Sequence, residues 1–377
     1  MADVKPKKAL IEDIKIFKDL EDKIIKTDKC CACGACVAYC LSQGFDVIKM
    51  EGYTPQFISD ANVDNCKECG VCYYICPQTD PLIDKITDLY RIKDELGYVH
   101  DIIAAKTTDE KIKEVGQDGG LVTTLLMYLF DKNKIDAAIV SEYDNNFNPI
   151  PKIVYNKEDL LKSSGTRYSI SSNILPLKDL YDIAEEIVKK QKQIYDLNQI
   201  RMAFVGTPCQ CRAIRKMQLL NVSPSHVIKY VFGLFCMENF DYNKLFELVK
   251  AETNEVPINI AKMNIKKNFF ITNKANQVHE VELKKFDPAV RNHCHECDEF
   301  TSRFSDLSFG GSGAVQQNSM IIIRTEKGQE LIKDLIINGY IEKFIPKTMT
   351  ISEWKTKKLG LLRKMTSNKI NKQKEDG

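Results

Sequence analysis

Residues 28–40 read DKCCACGACVAYC and residues 64–77 read DNCKECGVCYYICP. Each run carries the spacing C-x2-C-x2-C-x3-C: Cys30, Cys33, Cys36 and Cys40 in the first, Cys66, Cys69, Cys72 and Cys76 in the second. Three thiolates so spaced wrap one cubane, and the fourth leaves in another direction to ligate the neighbouring cluster. The repeat therefore predicts two [4Fe–4S] clusters. One rests on Cys30, Cys33, Cys36 and Cys76, the other on Cys66, Cys69, Cys72 and Cys40. Gly34 and Gly70 follow the second cysteine of each run, where the backbone must turn tightly. Zinc also takes paired cysteines, usually across a longer loop, and two consecutive runs of this spacing fit clusters better. Cys31 is surplus and reads as a small buried hydrophobe. Leu41 follows Cys40 where such runs usually carry proline; since proline is not a ligand, the departure leaves the site intact.

The surrounding chain has 377 residues, 44% of them hydrophobic, which allows two or three domains with packed cores. A formal net charge of +2 gives no reason to propose a nucleic-acid partner. No stretch approaches the ~20 apolar residues of a membrane span. The N-terminal MADVKPKKALIEDIKIF has lysines but no apolar core of a secretion signal, so a cytoplasmic location is expected. In that reducing compartment the fourteen cysteines are better read as metal ligands than as disulfides. From Lys343 onward, ten Lys and Arg face only Glu353, Glu375 and Asp376. Such a charge run reads first as a solvated tail and second as a docking surface.

These features divide the chain into a lead-in (1–25), a two-cluster domain (26–90), an α/β domain (98–342) and a basic tail (343–377), with a polar connector over 80–98. In the α/β domain, apolar runs at Asp101–Ala105, Asp136–Val140, Met202–Val205, Val227–Phe235 and Met320–Ile323 predict strands. Helical periodicity covers Leu121–Phe130, Leu177–Lys190, Cys209–Leu219, Tyr242–Ala251 and Gly328–Ile337. Strands alternating with helices predict an α/β fold around a central sheet.

Four motifs carry chemistry in that domain. The turn Gly116-Gln117-Asp118-Gly119-Gly120 opens a helix, where it either caps the helix or cradles a phosphate. Lys162-Ser163-Ser164-Gly165-Thr166-Arg167-Tyr168-Ser169 suits a pyrophosphate and an aromatic ring, or is an ordinary exposed turn. In Gly206-Thr207-Pro208-Cys209-Gln210-Cys211, a cysteine at a helix start is a good thiolate, as nucleophile or metal ligand. No Cys–His pairing supports a cysteine protease. Cys294-His295-Glu296-Cys297 is one more C-x2-C, ahead of Asp306 and the turn Gly310-Gly311-Ser312-Gly313. Cys209, Cys236, Cys294 and Cys297 supply four ligands, and in a chain already rich in cluster cysteines a third cluster is favoured over zinc. His293 and His295 remain alternatives for completing that site.

In this order, GQDGGLVTTLL, SSGTRYS, GTPCQ, FC, CxxCDxF and SFGGSG resemble the family of beta subunits of coenzyme F420 hydrogenases and dehydrogenases, over about His100 to Ile341. The fused two-cluster segment resembles more narrowly the electron-input subunit of F420H2 dehydrogenases, and the corresponding module of F420-dependent sulfite reductase. The resemblance implies bound FAD, hydride transfer from reduced F420 to the flavin, and single electrons leaving through a cluster on Cys209, Cys236, Cys294 and Cys297. It places flavin contacts around Gly119, Gly120, Thr123, Ser164, Gly165, Arg167, Tyr168, Thr207, Pro208 and Gln210, and leaves Cys211 without a role. No side chain need act as a nucleophile, because the cofactors carry the chemistry. The coenzyme tail bears carboxylates, for which Lys162 and Arg303 are candidates, although both read first as ordinary surface cations.

Three functions compete on these grounds. The first is an F420H2-oxidising module that hands electrons to a partner subunit, a ferredoxin or a complex on the inner face of a membrane. The second is a reductase of the same family acting on another substrate. The third is an electron-wiring subunit without flavin chemistry.

Overall fold

A computed structural model describes residues 14–190, 193–315 and 317–376. Residues 1–13 of the expected lead-in lie outside the described residues. The N-terminal module is built around its cysteine runs. After a helical turn at Phe17–Leu20 that runs on through Glu21–Ile25, the helix Ala35–Ser42 follows the first run, and the hairpin β1 (Ile48–Glu51) and β2 (Thr54–Phe57) leads to the second. Its core packs Phe17, Leu20, Ile24, Val37 and Ile48 around the thiols, with Phe17 edge-on to Phe57 at 4.9 Å between ring centroids. Gly34 and Gly70 both adopt left-handed backbone, φ +85° and +71°, immediately before short helices. A side chain there would be strained, and at Gly34 it would also strike the Leu175 backbone. The turn expected after each second cysteine is thus present in both runs.

Beyond the connector, which holds a short helix at Ile83–Leu89, the chain forms an eight-stranded mixed sheet. Its strands are β3 (Asp101–Thr107), β4 (Ala137–Tyr143), β5 (Pro149–Val154), β6 (Met202–Gly206), β7 (Ile228–Leu234), β11 (Leu307–Gly310), β12 (Ser319–Ile323) and β13 (Ile341–Lys343). The order is β13-β3-β12-β11-β7-β6-β4-β5. Strands β4, β6, β7 and β11 run parallel, and β5, β12 and β13 run antiparallel to their neighbours. The helices Leu121–Asp131 and Glu326–Ile337 cover one face through Leu125, Leu129, Leu331 and Leu335. Leu180–Lys190 and Pro208–Leu219 cover the other through Ile183, Ile187, Ile214 and Met217. Burying both faces explains why the central strands read as continuous apolar runs rather than alternating ones.

The strands and helices anticipated from periodicity are all present. What the sequence pattern missed is mostly short: β1, β2, β5, β11, β13, and a second sheet of β8 (Ile260–Ile265), β9 (Phe269–Asn273) and β10 (Val278–Val281), ordered β10-β9-β8. That small sheet closes over Phe240, Phe246, Phe269 and Phe286 together with the helix Tyr242–Thr253.

The basic tail differs from the expected solvated segment. Lys343 belongs to β13, and Ile351–Asp376 is one helix of 26 residues. It buries Trp354 and Leu362 against Leu96, Ile102, Phe300 and Ile322. Its charge run is therefore one face of an amphipathic helix, whose other face packs on the body. Among the described residues no helix is long and apolar enough to cross a membrane.

Candidate functional site

Because β12 is antiparallel to both β11 and β3, strand β3 points the same way as the parallel core. The turns after β3, β6, β7 and β11 consequently gather along one edge, the carboxyl edge where open α/β sheets bind ligands. The first glycine turn lies there. Gly119 donates its N–H to Ser319 Oγ at 3.0 Å, and a Cβ at Gly119 would stand 2.5 Å from the Ala105 carbonyl oxygen. The Asp118 carboxylate lies against Gly311, so the two glycine turns meet. Thr123 on the following helix shares a 3.1 Å hydrogen bond with Ser164. Arg167 donates to the Ser164 and Ser141 carbonyls, both at 3.0 Å, with its guanidinium 4.3 Å from the Tyr143 ring centroid.

Four buried polar atoms in these two segments have no hydrogen-bond partner: Gln117 Oε1, Ser163 Oγ, Arg167 Nε and Ser169 Oγ. Each unsatisfied buried group costs about 1–3 kcal/mol, and with seven more such atoms elsewhere among the described residues, these four make the two glycine segments one candidate place for a polar ligand. A separate groove of about 580 Å3 lies between the connector and the C-terminal helix, lined by Arg91, Lys93, His100, Lys355 and Arg363. It includes neither glycine turn and no thiol, so the unpartnered atoms locate the candidate site better than the volume does.

The cysteines fall into three neighbourhoods. In the first, burial raises the Cys36 thiol, and Cys30, Cys76 and Cys72 raise it further. Burial likewise lifts Cys76 to about 12, with Cys30 and Cys72 adding to it. In the second, burial and then Cys69, Cys66 and Cys40 raise Cys72. In the third, burial and then Cys236 and Cys297 raise Cys294, while Cys236 reaches about 12 through burial and the nearby Cys209 and Cys297, against Lys369. Along the N-terminal module, backbone N–H groups donate to sulfur: Ala32 to Cys30, Ala35 to Cys33, Val37 to Cys36, Val47 and Ile48 to Cys40, Tyr73 to Cys72 and Gln78 to Cys76. Donors around buried thiols suit the ionised form that a metal requires.

Cys31 links two neighbourhoods. It is buried, and its thiol stands close enough to Cys209 and Cys33 for each to shift its protonation. Cys209 is itself raised, first by Cys31 and then by burial, and Thr207 Oγ1 lies 3.2 Å from its sulfur. Further contacts seat the module on the large domain. Arg291 donates to the Cys30 carbonyl at 2.9 Å, Ser172 to the Ala32 carbonyl at 2.7 Å, and the buried Lys216 to the Cys76 carbonyl at 2.7 Å. At the far end Cys69 is exposed. Among the described residues no three His, Cys, Asp or Glu side chains are arranged to hold a metal ion. One ion draws its thiolates to about 2.3 Å, whereas a four-iron cube holds them farther apart.

The third neighbourhood receives a cation. Lys369, on the C-terminal helix, is 6% exposed and donates to the Cys236 carbonyl at 2.9 Å, the Glu299 carbonyl at 2.8 Å and Cys297 Sγ at 3.4 Å. Burial alone would favour its neutral amine, but Cys297, Cys236 and Cys294 outweigh it and hold the pKa above the ordinary lysine value. His293 stands beside Cys294, and burial takes its imidazole down to about 3, so it is neutral.

Comparison with known proteins draws on the same residues. The family model for the N-terminal part of the coenzyme F420 hydrogenase/dehydrogenase beta subunit matches residues 102–178, and that for its C terminus matches 200–347. The beta subunit of coenzyme F420 hydrogenase from Methanosarcina barkeri is 33% identical over 282 residues, 74% of this chain and 90% of that protein. The chain belongs to the family of coenzyme F420 hydrogenase/dehydrogenase beta subunits. A subunit of the F(420)H(2) dehydrogenase of Methanosarcina mazei is 31% identical over 315 residues, covering 82% of either chain. A chain of the F420-reducing [NiFe] hydrogenase complex of Methanosarcina barkeri superposes with a TM-score of 0.64 at 30% identity, over 75% of this chain and 93% of that one.

The family match begins and ends with the mixed sheet, so the cysteine runs before residue 102 and the helix after residue 350 both lie outside it. Within it, the residues expected from resemblance have distinct surroundings. Gly119, Gly120, Thr123, Ser164, Gly165 and Arg167 belong to the two segments with unpartnered atoms. Pro208 is buried at the start of the Pro208–Leu219 helix. Gln210 has both ends of its amide occupied, by the Thr207 N–H and the Ser171 carbonyl, and holds the turn together. The Tyr168 hydroxyl accepts the Ile265 N–H at 2.9 Å and pins β8. Lys162 pairs with Asp159 at 3.0 Å and Arg303 with Asp298 at 2.7 Å, both partners standing at the surface.

Sequence reading passed over Lys262, within β8, and Lys266, just after it. Asp118 reaches solvent, yet partial desolvation raises its carboxyl while Lys266 and Lys262 pull it down. Both lysines therefore stand close to the glycine turn, in and just after a strand too polar to be recognised from its pattern. Cys211 is fully buried among Ile214, Met217 and Val231, and its thiol donates to the Gly206 carbonyl at 3.8 Å. It is a core residue.

Proposed function

We propose that this chain oxidises reduced coenzyme F420 by hydride transfer to FAD and passes the electrons singly through three [4Fe–4S] clusters to a partner protein. Family membership and the names of its relatives support the F420-linked oxidoreductase part of this reading. FAD would convert a two-electron hydride into the single electrons that clusters accept. The chain's own contribution is to bind and orient. Arg167, Ser163, Ser169 and Gln117 offer unused polar atoms to a flavin or its pyrophosphate, and the Gly116–Gly120 turn offers backbone beside them. Lys262 and Lys266 stand where the carboxylates of an F420 tail would be held. Cys209, Cys236, Cys294 and Cys297 suit one cluster, Cys30, Cys33, Cys36 and Cys76 a second, and Cys40, Cys66, Cys69 and Cys72 a third.

The observation that carries the reading is the continuity of the thiol groups. Thr207, on the turn at the ligand edge, touches Cys209; Cys209 touches Cys31 beside Cys33; Cys36 and Cys76 feel Cys72; and Cys72 feels the exposed Cys69. This order makes the Cys66–Cys72 run the exit, where a redox subunit, a ferredoxin or the soluble face of a membrane complex would dock.

Anaerobic purification followed by flavin and iron analysis tests the cofactors, with one FAD and about twelve irons expected. Bleaching by reduced F420 with a viologen acceptor tests the reaction. A chain without flavin would be an electron-wiring subunit, and a flavoprotein inert to F420 would act on another substrate; either result overturns the proposal.

A further inference from the structure

The C-terminal helix, which lies outside the family match, reaches a thiol group within it. Trp354, Leu362 and Thr366 are buried along one side of it, and the next buried position on that side is Lys369. An aliphatic residue would complete this stripe at lower cost, since burying an ammonium is unfavourable unless its donors and charge are met. All three of its donors are met, by the Cys236 and Glu299 carbonyls and the Cys297 sulfur. None of these acceptors is a carboxylate. The neighbouring Glu299 side chain is taken by Arg212 at 3.0 Å and by the Arg303 N–H. The counter-charge of Lys369 must therefore come from the thiols, which carry it when they are ionised as ligands.

We infer that Lys369 tunes the reduction potential of the cluster held by Cys209, Cys236, Cys294 and Cys297, as a fixed cation and sulfur hydrogen-bond donor supplied by the C-terminal helix. Reduction adds one negative charge to such a cluster, and a buried cation stabilises the added charge and raises the potential. In the N-terminal module backbone N–H groups donate to the sulfurs. In the large domain Lys369 adds a buried cation to the Asn239 backbone and the Thr207 hydroxyl at the sulfurs, so the potential there depends in part on the docking of one helix. A higher potential next to the flavin favours pulling electrons off it, and Lys369 is accordingly a positioning residue for electrons rather than a catalytic one.

The inference rests on the third cluster of the proposed function, and the experiment separates the two. Iron and sulfide content of the full wild-type chain reports whether that cluster is there; a chain holding only two clusters overturns both. Lys369→Met keeps the length of the stem and Lys369→Arg keeps the charge. Redox titration followed by electron paramagnetic resonance is expected to show one cluster of Lys369→Met shifted negative by the equivalent of about tenfold in its reduction equilibrium, about 59 mV for one electron. The other two clusters and the Lys369→Arg protein should stay near wild type. Loss of one cluster in Lys369→Met but not in Lys369→Arg supports the same role. An unshifted Lys369→Met, or equal loss in both variants, overturns it.

Discussion

The thiol of Cys31, the surplus cysteine of the first run, lies beside that of Cys209 on the first turn of the helix that follows β6. The N-terminal module is therefore seated on the large domain thiol against thiol, with Arg291 and Ser172 holding the backbone on either side of the contact.

Cys31→Ala should leave iron content unchanged, because each run keeps its four spaced thiols, and should cost about 1 kcal/mol in stability. Cys33→Ala should lose about a third of the iron, one cluster of three. In Cys31→Ala, flavin reduction by reduced F420 should proceed normally while transfer onward to a viologen slows. Equal iron loss in the two variants would make Cys31 a ligand and contradict the assignment.

Arg167 holds two carbonyls and leaves Nε unpartnered. A hydrogen bond from a charged donor is worth about 1.5–3 kcal/mol, so Arg167→Met should weaken FAD retention by about tenfold or more. Flavin absorbance after gel filtration measures this. Retention equal to wild type would move the flavin elsewhere.

Reversing charge at β8 tests the coenzyme tail. Lys262→Glu with Lys266→Glu should raise the KM for reduced F420 about tenfold, about 1.4 kcal/mol, with kcat nearly unchanged, since both lysines would bind the tail equally in ground and transition states. The effect should shrink at high salt. A fall in kcat with KM constant would place these lysines at the reacting ring instead.

Asp306 and Arg215 form a buried pair at 3.2 Å, and Asp306 also accepts the Val231 N–H at 2.9 Å. Burial works against the carboxylate, but Arg215, Lys327 and the hydrogen bonds hold its pKa below the usual value. A depressed carboxylate contributes stability that is complete above the unfolded pKa of about 3.9 and is lost as pH falls through the folded value. Asp306→Asn should cost about 3–5 kcal/mol at neutral pH by leaving Arg215 uncompensated. It should also flatten the acid limb of the stability profile in denaturant melts; an unchanged limb would show that Asp306 does not govern acid unfolding.

The two cysteine runs were legible because their pattern is local: each set of three closely spaced cysteines lies within seven residues, and the tight turns at Gly34 and Gly70 fall inside them. The main strands and helices were legible for a similar reason, since burial on both faces leaves long apolar runs and burial on one leaves a helical stripe. The third thiol group was suggested only by spare cysteines and by resemblance. Cys209 follows β6, Cys236 follows β7, and Cys294 and Cys297 follow the small sheet, so only the parallel pairing of β6 with β7 and the return of the chain over the small sheet bring them near one another. The strands of that small sheet are short and edge-exposed, which is why neither they nor Lys262 and Lys266 stood out.

The sequence by itself determined the two cysteine runs and the α/β alternation, which are written in spacing and periodicity along the chain, and its motifs carried the resemblance to the family. Tertiary structure alone decided that the basic tail is a packed helix, that Lys369 ends beside Cys297, and that Cys31 meets Cys209. The physical reason is that a charge pattern reports which side chains tolerate water, whereas the partner of a buried cation or thiol is set by where the sheet carries remote segments.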